Sequence, residues 1–423
     1  MNPIVELGVM IVGDLGAIAR ARSSPDFAML QLDGVLSIWL WLGLGFQLST
    51  GAVLFWRLAQ GKNRPRPLQP EWAPPEWAGK VTVLLPTLNE VKRLSPCLAG
   101  LTVQTEEVRE ILAIDSYSED GTVASIEAAI AQDPRFHLIL YDPNSDRWVG
   151  PSGALQTGFL RSSPESEWIL RVDADTYPRP GLVASLLKAA IASNYDLLSV
   201  SAQFILKYPG EVWFHPAMLI TFAYRFGAIG KRANSPDRVM ANGQCLLCRR
   251  QVLEQLGGFA IARDAFCDDM KLARHAAKQG YRVGFLDGSK VVRVRMYEGV
   301  RETWREWGRT IGVRDASHPW QLWQDVVFLL AVQGLPPLIL GFYAIAVPRS
   351  LLFQWPHVGL WSFNLLLMLA RIAMLWAIAP YFDRTQAKAP WLFWLSPLAD
   401  PVVWLRVLIS ALRPPKQWRG RRY

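Results

Sequence analysis

The sequence predicts an α/β domain, a mostly parallel sheet with helices on both faces, with transmembrane α-helices towards the N-terminus and the C-terminus. Two observations carry this. Apolar windows of bilayer-crossing length lie on either side of the middle of the 423-residue chain, and a helix needs about twenty apolar residues to cross the hydrocarbon core. Between them, short apolar runs alternate with helical patterns, the β-α-β-α order of a parallel sheet. Runs without polar alternation suit strands buried on both faces.

The first window, Val35 to Trp56, holds no charge. Arg57, Lys62, Arg64 and Arg66 follow it, which places the middle domain in the cytoplasm by the basic-residue bias of membrane proteins. Residues 58–79 read as a linker rich in Pro, Lys and Arg, with Trp72 and Trp77 as interfacial anchors. Val326 to Val347 and Val358 to Ala379 also qualify as spans, although Pro336-Pro337 should kink the first and Arg371 interrupts the second. Trp391 to Leu412 contains Pro397, Asp400, Pro401 and Arg406, which suits a re-entrant or interfacial segment better than a span. The tail carries Arg413, Lys416, Arg419, Arg421 and Arg422 and also belongs in the cytoplasm. Three spans and one non-spanning segment satisfy both basic clusters; four spans are the alternative.

The expected division is therefore an N-terminal segment 1–34, a transmembrane helix 35–57, the linker 58–79 and a catalytic domain 80–310. An interfacial segment 311–325, helices 326–347 and 358–380, the doubtful segment 391–412 and a basic tail 413–423 complete it. Glu6 and Asp14, with no basic start, argue against a cleaved signal peptide. The formal net charge of +9 could serve nucleic acid, but the clearest basic cluster abuts an apolar segment, where it favours anionic lipid. A membrane partner, and no nucleic acid, is the expectation. The 4 cysteines form no disulfide framework for a cytoplasmic domain, and Cys245-Leu-Leu-Cys248 reads as a buried strand.

Within the domain, strands are expected at Val81–Leu85, Glu110–Ile114, Phe136–Leu140 and Trp168–Val172, with helices around Leu94–Val103, Thr122–Ala131 and Gly153–Arg161. Ligands of such sheets gather at the carboxyl ends of the strands. The first strand ends in Pro86-Thr87-Leu88-Asn89-Glu90, the second in Asp115-Ser-Tyr-Ser-Glu-Asp-Gly-Thr122, the fourth in Asp173-Ala-Asp175. Three acidic stations at one edge repel each other unless a cation or hydrogen-bond donors join them. Asp173 and Asp175 alone fit an Asp-rich turn before Pro178 as well as a divalent-metal site; the convergence favours the metal.

Mg²⁺ and Mn²⁺ take one or two carboxylates and complete their shell with phosphate oxygens, and such an ion stabilises a departing diphosphate. Asp115 suits a base or ribose, with Thr87 and Glu90 as neighbours, while Ser116, Ser118, Asp120 and Gly121 also fit a polar helix-capping turn. The Gly-rich stretch Arg147–Gly158 offers close backbone approach at a helix start. Asp268-Asp269 opens another helix that Gly280 closes. Two adjacent carboxylates allow one to cap or orient while the other, Asp269, takes a proton from an acceptor hydroxyl.

Together, Pro86-Thr-Leu-Asn-Glu90, Asp115 with Asp120-Gly-Thr122, Asp173-Ala-Asp175, Gly243-Gln244 with Arg249-Arg250, Gly257-Gly258 and Asp268-Asp269 resemble the family 2 glycosyltransferases. The resemblance covers about Lys80 to Thr310. It implies a GT-A fold and inverting transfer from a nucleoside-diphosphate sugar, expected to be a UDP-sugar, with Mg²⁺ or Mn²⁺ as cofactor. By resemblance, Pro86, Thr87, Asn89, Glu90, Asp115, Asp173 and Gln244 bind the nucleotide sugar, Asp173 and Asp175 hold the metal, and Asp269 is the base beside Asp268. Family members commonly have Glu where Asp268 stands. The Gln/Arg-x-x-Arg-Trp motif of processive relatives is missing; Trp304-Arg305-Glu306-Trp307 stands instead, which argues against a polymer product.

One early span, several late ones and the closing Trp418-Arg-Gly-Arg-Arg-Tyr423 are similar to enzymes that glycosylate membrane lipids, with carotenoid-like acceptors favoured over hopanoid or ceramide ones. Trp304, Arg305 and Trp307 would then guide a lipophilic acceptor, although Trp304, Trp307 and Trp320 also fit interfacial anchors. Transfer to polyprenyl phosphate, and a catalytically inactive subunit that only binds nucleotide sugar, are the alternatives. His215, His275 and His318 have no metal-ligand spacing.

Overall fold

The structure, a computed structural model, describes residues 25–63, 65–142, 148–227, 229–230, 235–312, 314–413, 417–418 and 421–422. Its strands are β1 Val81–Thr87, β2 Val108–Asp115, β3 Phe136–Leu140, β4 Trp168–Val172, β5 Thr176–Pro178, β6 Leu197–Ser201, β7 Gln203–Ile205, β8 Cys245–Arg249, β9 Val283–Asp287, β10 Val292–Val294 and β11 Phe382–Asp383, with a two-stranded pair Gln417–Trp418 and Arg421–Arg422 in the tail. The helices that matter below are α1 Pro25–Ala59, α2 Val91–Thr102, α3 Thr122–Gln132, α4 Ser152–Arg161, α5 Leu182–Ala192, α6 Pro209–Phe226, α7 Arg250–Gln255 and α8 Asp268–Lys278. Beyond them come α9 Gly299–Gly312, α10 Pro319–Leu329, α11 Leu335–Ala346, α12 His357–Ile378 and α13 Asp400–Leu412.

The main sheet has the order β3-β2-β1-β4-β8-β6-β9. Neighbours run parallel except β8, which is antiparallel to both β4 and β6. The continuously apolar runs are buried on both faces, as expected. Every residue of β1 is buried, and its side chains alternate between two cores. Val83 and Leu85 join the core that includes Leu98 and Leu170, while Leu84 joins the opposite one with Leu155 and Phe159. Each such side chain contributes roughly 1.5–3 kcal/mol. Asp120 ties two helix starts to the sheet edge. Its carboxylate accepts from the Val91 amide opening α2 at 3.1 Å and from the Thr122 amide and hydroxyl opening α3 at 3.1 and 2.6 Å. Although burial opposes it, those hydrogen bonds hold the Asp120 carboxyl below its ordinary range.

A second sheet, in the order β11-β7-β10-β5, was not anticipated. Its strands have only two or three residues each, too short for a pattern to register. β11 follows α12 and pairs in parallel with β7. Tyr381 donates to Asp287 at 2.7 Å, and Arg293 pairs with Asp383 at 3.1 Å. The apolar helices are thereby fastened to the catalytic domain.

Among the described residues four helices are long and apolar enough to cross a membrane: Ser37–Ala59, Pro319–Ala346, His357–Tyr381 and Pro390–Leu412. Pro336-Pro337 does not end the second, because a π-helical turn at Leu330–Gly334 precedes it and widens the backbone. The polar residues inside these helices find one another. Gln47 and Asn364 exchange hydrogen bonds at 3.0 and 2.8 Å, Arg371 pairs with Asp400 at 2.7 Å, and Gln333 donates to Asp400 at 3.2 Å. At one end of the last helical segment the Lys388 amide bonds the Lys207 carbonyl at 2.7 Å; at the other, Arg314 bonds the Ala411 carbonyl at 2.9 Å.

Candidate active site

The topology brings the acidic stations to one edge. β1 lies between β2 and β4, with Thr87 in register with Asp115. Because β8 runs the other way, its start lies at this same edge, Cys245 opposite Val172. The Asp173 amide bonds the Gln244 carbonyl at 3.2 Å, and the adjacent Gly243 amide donates to the Asp269 carboxylate at 2.6 Å. Two short backbone steps therefore link the β4 carboxylates to the start of α8.

Arg171, two residues before Asp173 and on the same face of β4, is the cation this cluster needs. Its guanidinium pairs with Asp173 at 3.1 Å and with Asp268 at 2.5 Å. Burial alone would lower its pKa, but Asp173, Asp268 and Asp269 outweigh that and raise it. A Cβ on Gly243 would lie 2.6 Å from the guanidinium carbon, so only glycine fits there. The sequence carried one signal for Arg171: an arginine inside an otherwise apolar strand, at the spacing that aims it beside Asp173.

Asp268 is buried as the first residue of α8, and no side chain caps that helix. The expected capping role is therefore replaced by the ion pair with Arg171. Asp269 also accepts from the Met270 amide at 2.7 Å. Enclosure in protein pushes its carboxyl up to about 6, the Asp268 charge adds to this, and Arg171 opposes it. A carboxylate titrating there is well placed to accept a proton near neutral pH.

A cavity of about 760 Å³ opens beside these groups. At one pole it is lined by Pro86, Glu90, Asp173, Asp175, Asp268, Asp269 and Gln244. At the other it is lined by Met218, Phe222 and Phe226 of α6, Trp56 of α1, and Met374 and Ile378 of α12. Asp175 is buried and its carbonyl accepts from Arg295 at 3.0 Å, which anchors it to the second sheet. Gln244 is held by Asn242, which donates to its side chain at 2.8 Å.

Asp115, Thr87 and Asn89 stand behind that wall. Asp115 is wholly buried and accepts from Thr87 at 2.9 Å and from the Ser118 amide and hydroxyl at 2.8 and 2.6 Å. Asn89, at φ +54°, accepts from the Glu119 amide at 2.9 Å and bridges the two loops. α4 presents its start at the cavity through Pro151; Arg147 lies outside the described residues. Gln156 of α4 accepts from the Phe259 amide at 2.7 Å, just past Gly257 and Gly258, which both have positive φ.

Trp304 and Arg305, expected on the acceptor side, do not line the cavity; the Trp307 side chain lies outside the described residues. Their helix α9 packs against α13 instead, where Arg406 bonds the Trp304 carbonyl at 2.9 Å and lies over its ring. The apolar wall belongs to α6, which the sequence did not reveal because Pro209 and Pro216 break its helical pattern. His215 sits edge-on to Phe204 and Tyr297, and burial pushes its ring down to about 3, so it stays neutral. The cysteines are all free and buried, and burial raises the Cys97 thiol to about 12.

Comparison with known proteins agrees with this geometry. Residues 82–257 match the family model described as Glycosyl transferase family 2, and residues 215–423 that of Glycosyl transferase family 21. The chain is 23% identical over 248 residues to an N-acetylglucosaminyl-diphospho-decaprenol L-rhamnosyltransferase of Mycobacterium tuberculosis, covering 52% of this chain and 78% of that one. It is 23% identical over 276 residues to a 4,4'-diaponeurosporenoate glycosyltransferase of Staphylococcus haemolyticus, covering 64% and 70%. A mannosyltransferase structure from Pyrobaculum calidifontis, in complex with GDP-Man and Mn²⁺, aligns at TM-score 0.44 and 19% identity over 79% of this chain and 99% of that one. The two family models together run from residue 82 to residue 423: the chain carries a domain that matches the family 2 glycosyltransferases, followed by a region that matches family 21.

Proposed function

We propose that the protein transfers a single sugar, with inversion, from a nucleoside-diphosphate sugar to a hydroxyl of a membrane-soluble lipid. One observation carries this reading: residues of α1 and α12, which include stretches long and apolar enough to cross a membrane, line the same cavity as Asp173, Asp175 and Asp269. An acceptor can keep its apolar body against Phe222, Met374 and Ile378 while its hydroxyl reaches the carboxylates. Carotenoid-like acceptors remain favoured, and the diaponeurosporenoate glycosyltransferase among the relatives supports that class. In this reading the catalytic domain faces the cytoplasm, where nucleotide sugars are made, as the basic residues that follow the first span suggest.

Asp269 accepts the hydroxyl proton as the acceptor oxygen attacks the anomeric carbon, and the bond to the diphosphate breaks. The Gly243 and Met270 amides hold the carboxylate in place, and Arg171 fixes Asp268 beside it. A hydroxyl needs such a base, whereas polyprenyl phosphate, already ionised, would not; a base tuned to about 6 therefore favours the hydroxyl reading.

Asp173 and Asp175 would hold Mg²⁺ or Mn²⁺. Among the described residues no group of three or more His, Cys, Asp or Glu side chains is gathered to cage a metal alone. Two carboxylates that need phosphate oxygens and water to finish the shell fit these hard ions. When bound, the ion would stabilise the charge of the leaving diphosphate.

The test is to incubate membranes containing the full chain with labelled nucleotide sugars and to analyse the lipid extract. Label in a lipid that mild acid phosphate-ester cleavage does not release supports the reading; label only in water-soluble product overturns it. Ala377→Trp, which fills the membrane end of the cavity, should abolish lipid labelling while nucleotide-sugar binding persists.

A further inference from the structure

A second cavity, of about 420 Å³, lies between α1 and α10. Arg57 and Arg238 line both this cavity and the larger one, so they form the wall between the two. The outer cavity is otherwise bounded by Thr50, Gln324, Asp325 and Phe328 and by Trp320, Trp323 and Val327, whose side chains are 68%, 41% and 47% exposed. Both helices are among those long enough to cross a membrane. Exposed tryptophans at such a helix start suit the head-group level of a bilayer.

The charges at this wall do not balance. Asp325 pairs with Arg225 at 3.0 Å and with Arg238 at 3.0 Å. Arg57, in the last turn of α1, donates to the Tyr224 carbonyl at 2.8 Å and stacks over Phe328 at 4.6 Å. No carboxylate of the described residues lies within ion-pair distance of it. Among the described residues, Arg57 thus stands beside Arg238 with no carboxylate of its own in partly buried, largely apolar surroundings, where an uncompensated charge is costly and an anion would complete the set. We propose that Arg57 and Arg238 bind the anionic phosphate head group of a bilayer lipid whose tail lies in the outer cavity beside Trp320 and Trp323. A lipid suits the site better than a soluble anion, because Trp320, Trp323, Val327 and Phe328 give the cavity an apolar wall on a helix long enough to cross a membrane. Arginine is suited to the task, since its planar fork grips a phosphate with two parallel hydrogen bonds.

The test uses the full chain in phosphatidylcholine vesicles doped with bromine-labelled phosphatidylglycerol or bromine-labelled phosphatidylcholine. Tryptophan quenching is read against a Trp320→Phe/Trp323→Phe variant. The anionic lipid should quench these two residues at a lower mole fraction than the neutral one. Arg57→Gln and Arg238→Gln should each weaken that preference about fivefold, the factor one basic residue contributes near anionic lipid. Thr50→Phe, which fills the outer cavity, keeps every charge and adds no tryptophan, should remove the preference as well, and millimolar inorganic phosphate should not displace the lipid. Equal quenching by both lipids, a preference unchanged by the glutamine variants or by Thr50→Phe, or displacement by inorganic phosphate would each overturn the proposal. The readout is lipid binding, so the outcome is independent of whether the sugar acceptor has been identified correctly.

Discussion

Arg171 and Asp268 form an ion pair of 2.5 Å in which both side chains are 5% exposed. Removing one partner of such a pair strands the other charge in a poor solvent, at a cost of about 3–5 kcal/mol. Arg171→Met should therefore lower the unfolding temperature markedly and abolish transfer, since Asp173 loses the same partner. Arg171→Lys should recover little, because one ammonium does not reproduce the two-sided fork. An unfolding temperature unchanged in Arg171→Met would refute this account of the cluster.

Asp269→Asn should reduce turnover on the order of 10²–10⁴ and leave nucleotide-sugar affinity near that of the parent, as measured by calorimetry. Asp268→Asn is expected to be a structural lesion rather than a mild loss of helix capping, because its partner is the buried Arg171. If Asp269→Asn keeps parental transfer rates, the base has been misassigned and an already ionised acceptor becomes the better reading.

The pH dependence follows from the Asp269 carboxyl lying at about 6, raised by burial and by Asp268. A general base works only when deprotonated, so kcat/KM should fall as pH drops through about 6 and level off above it. Retained activity in Asp268→Asn should come with an acid limb displaced to lower pH, since a neighbouring negative charge is gone. A profile flat from pH 5 to 8, about a unit or more on either side of that value, would contradict the assignment.

Chelation should abolish transfer, and Mg²⁺ or Mn²⁺ should restore it. Asp175→Asn should weaken nucleotide-sugar binding and turnover together, with higher metal concentrations giving partial recovery. Full activity in excess chelator is the result that excludes this role.

The last helical segment is proposed not to cross the bilayer. Its start bonds Lys207 of the catalytic domain, and its end bonds Arg314, which also precedes α10. A single cysteine replacing Arg413, in a chain with its native thiols changed to serine, should react with an impermeant reagent only from the side that bears the catalytic domain. Labelling from the opposite face would establish a fourth crossing.

The main sheet was legible because its strands are long enough to show uninterrupted apolar runs, and each ends on a polar station. The same logic drew attention to Asp173 and Asp175, and the paired carboxylates at a helix start to Asp269; the structure brings all three to the lining of one cavity. That logic did not locate Arg171's partnership with Asp268, because the two are far apart in sequence and only the antiparallel β8 brings α8 to that edge. Arg371 and Asp400 were each readable as a flaw in an apolar segment, and they prove to be partners. A pairing between distant segments leaves no local pattern. The apolar lining of the cavity left no local pattern either. Trp304 and Arg305 stood out by composition, whereas the cavity's apolar lining comes from ordinary residues of α6, α1 and α12 that only the fold assembles.

β11 has a bearing on how the protein can be handled. This two-residue strand enters the second sheet only after the chain has passed through α12, and it covers the edge of β7. A fragment cut after α9 to obtain a water-soluble enzyme would lose that cover together with the Arg293–Asp383 and Tyr381–Asp287 contacts. It would expose an unsatisfied backbone edge, the kind that templates association with other chains. The domain is thus not a detachable globule on a tether: its own hydrogen-bond ladder is closed by a piece of chain that arrives only after a helix long and apolar enough to cross a bilayer.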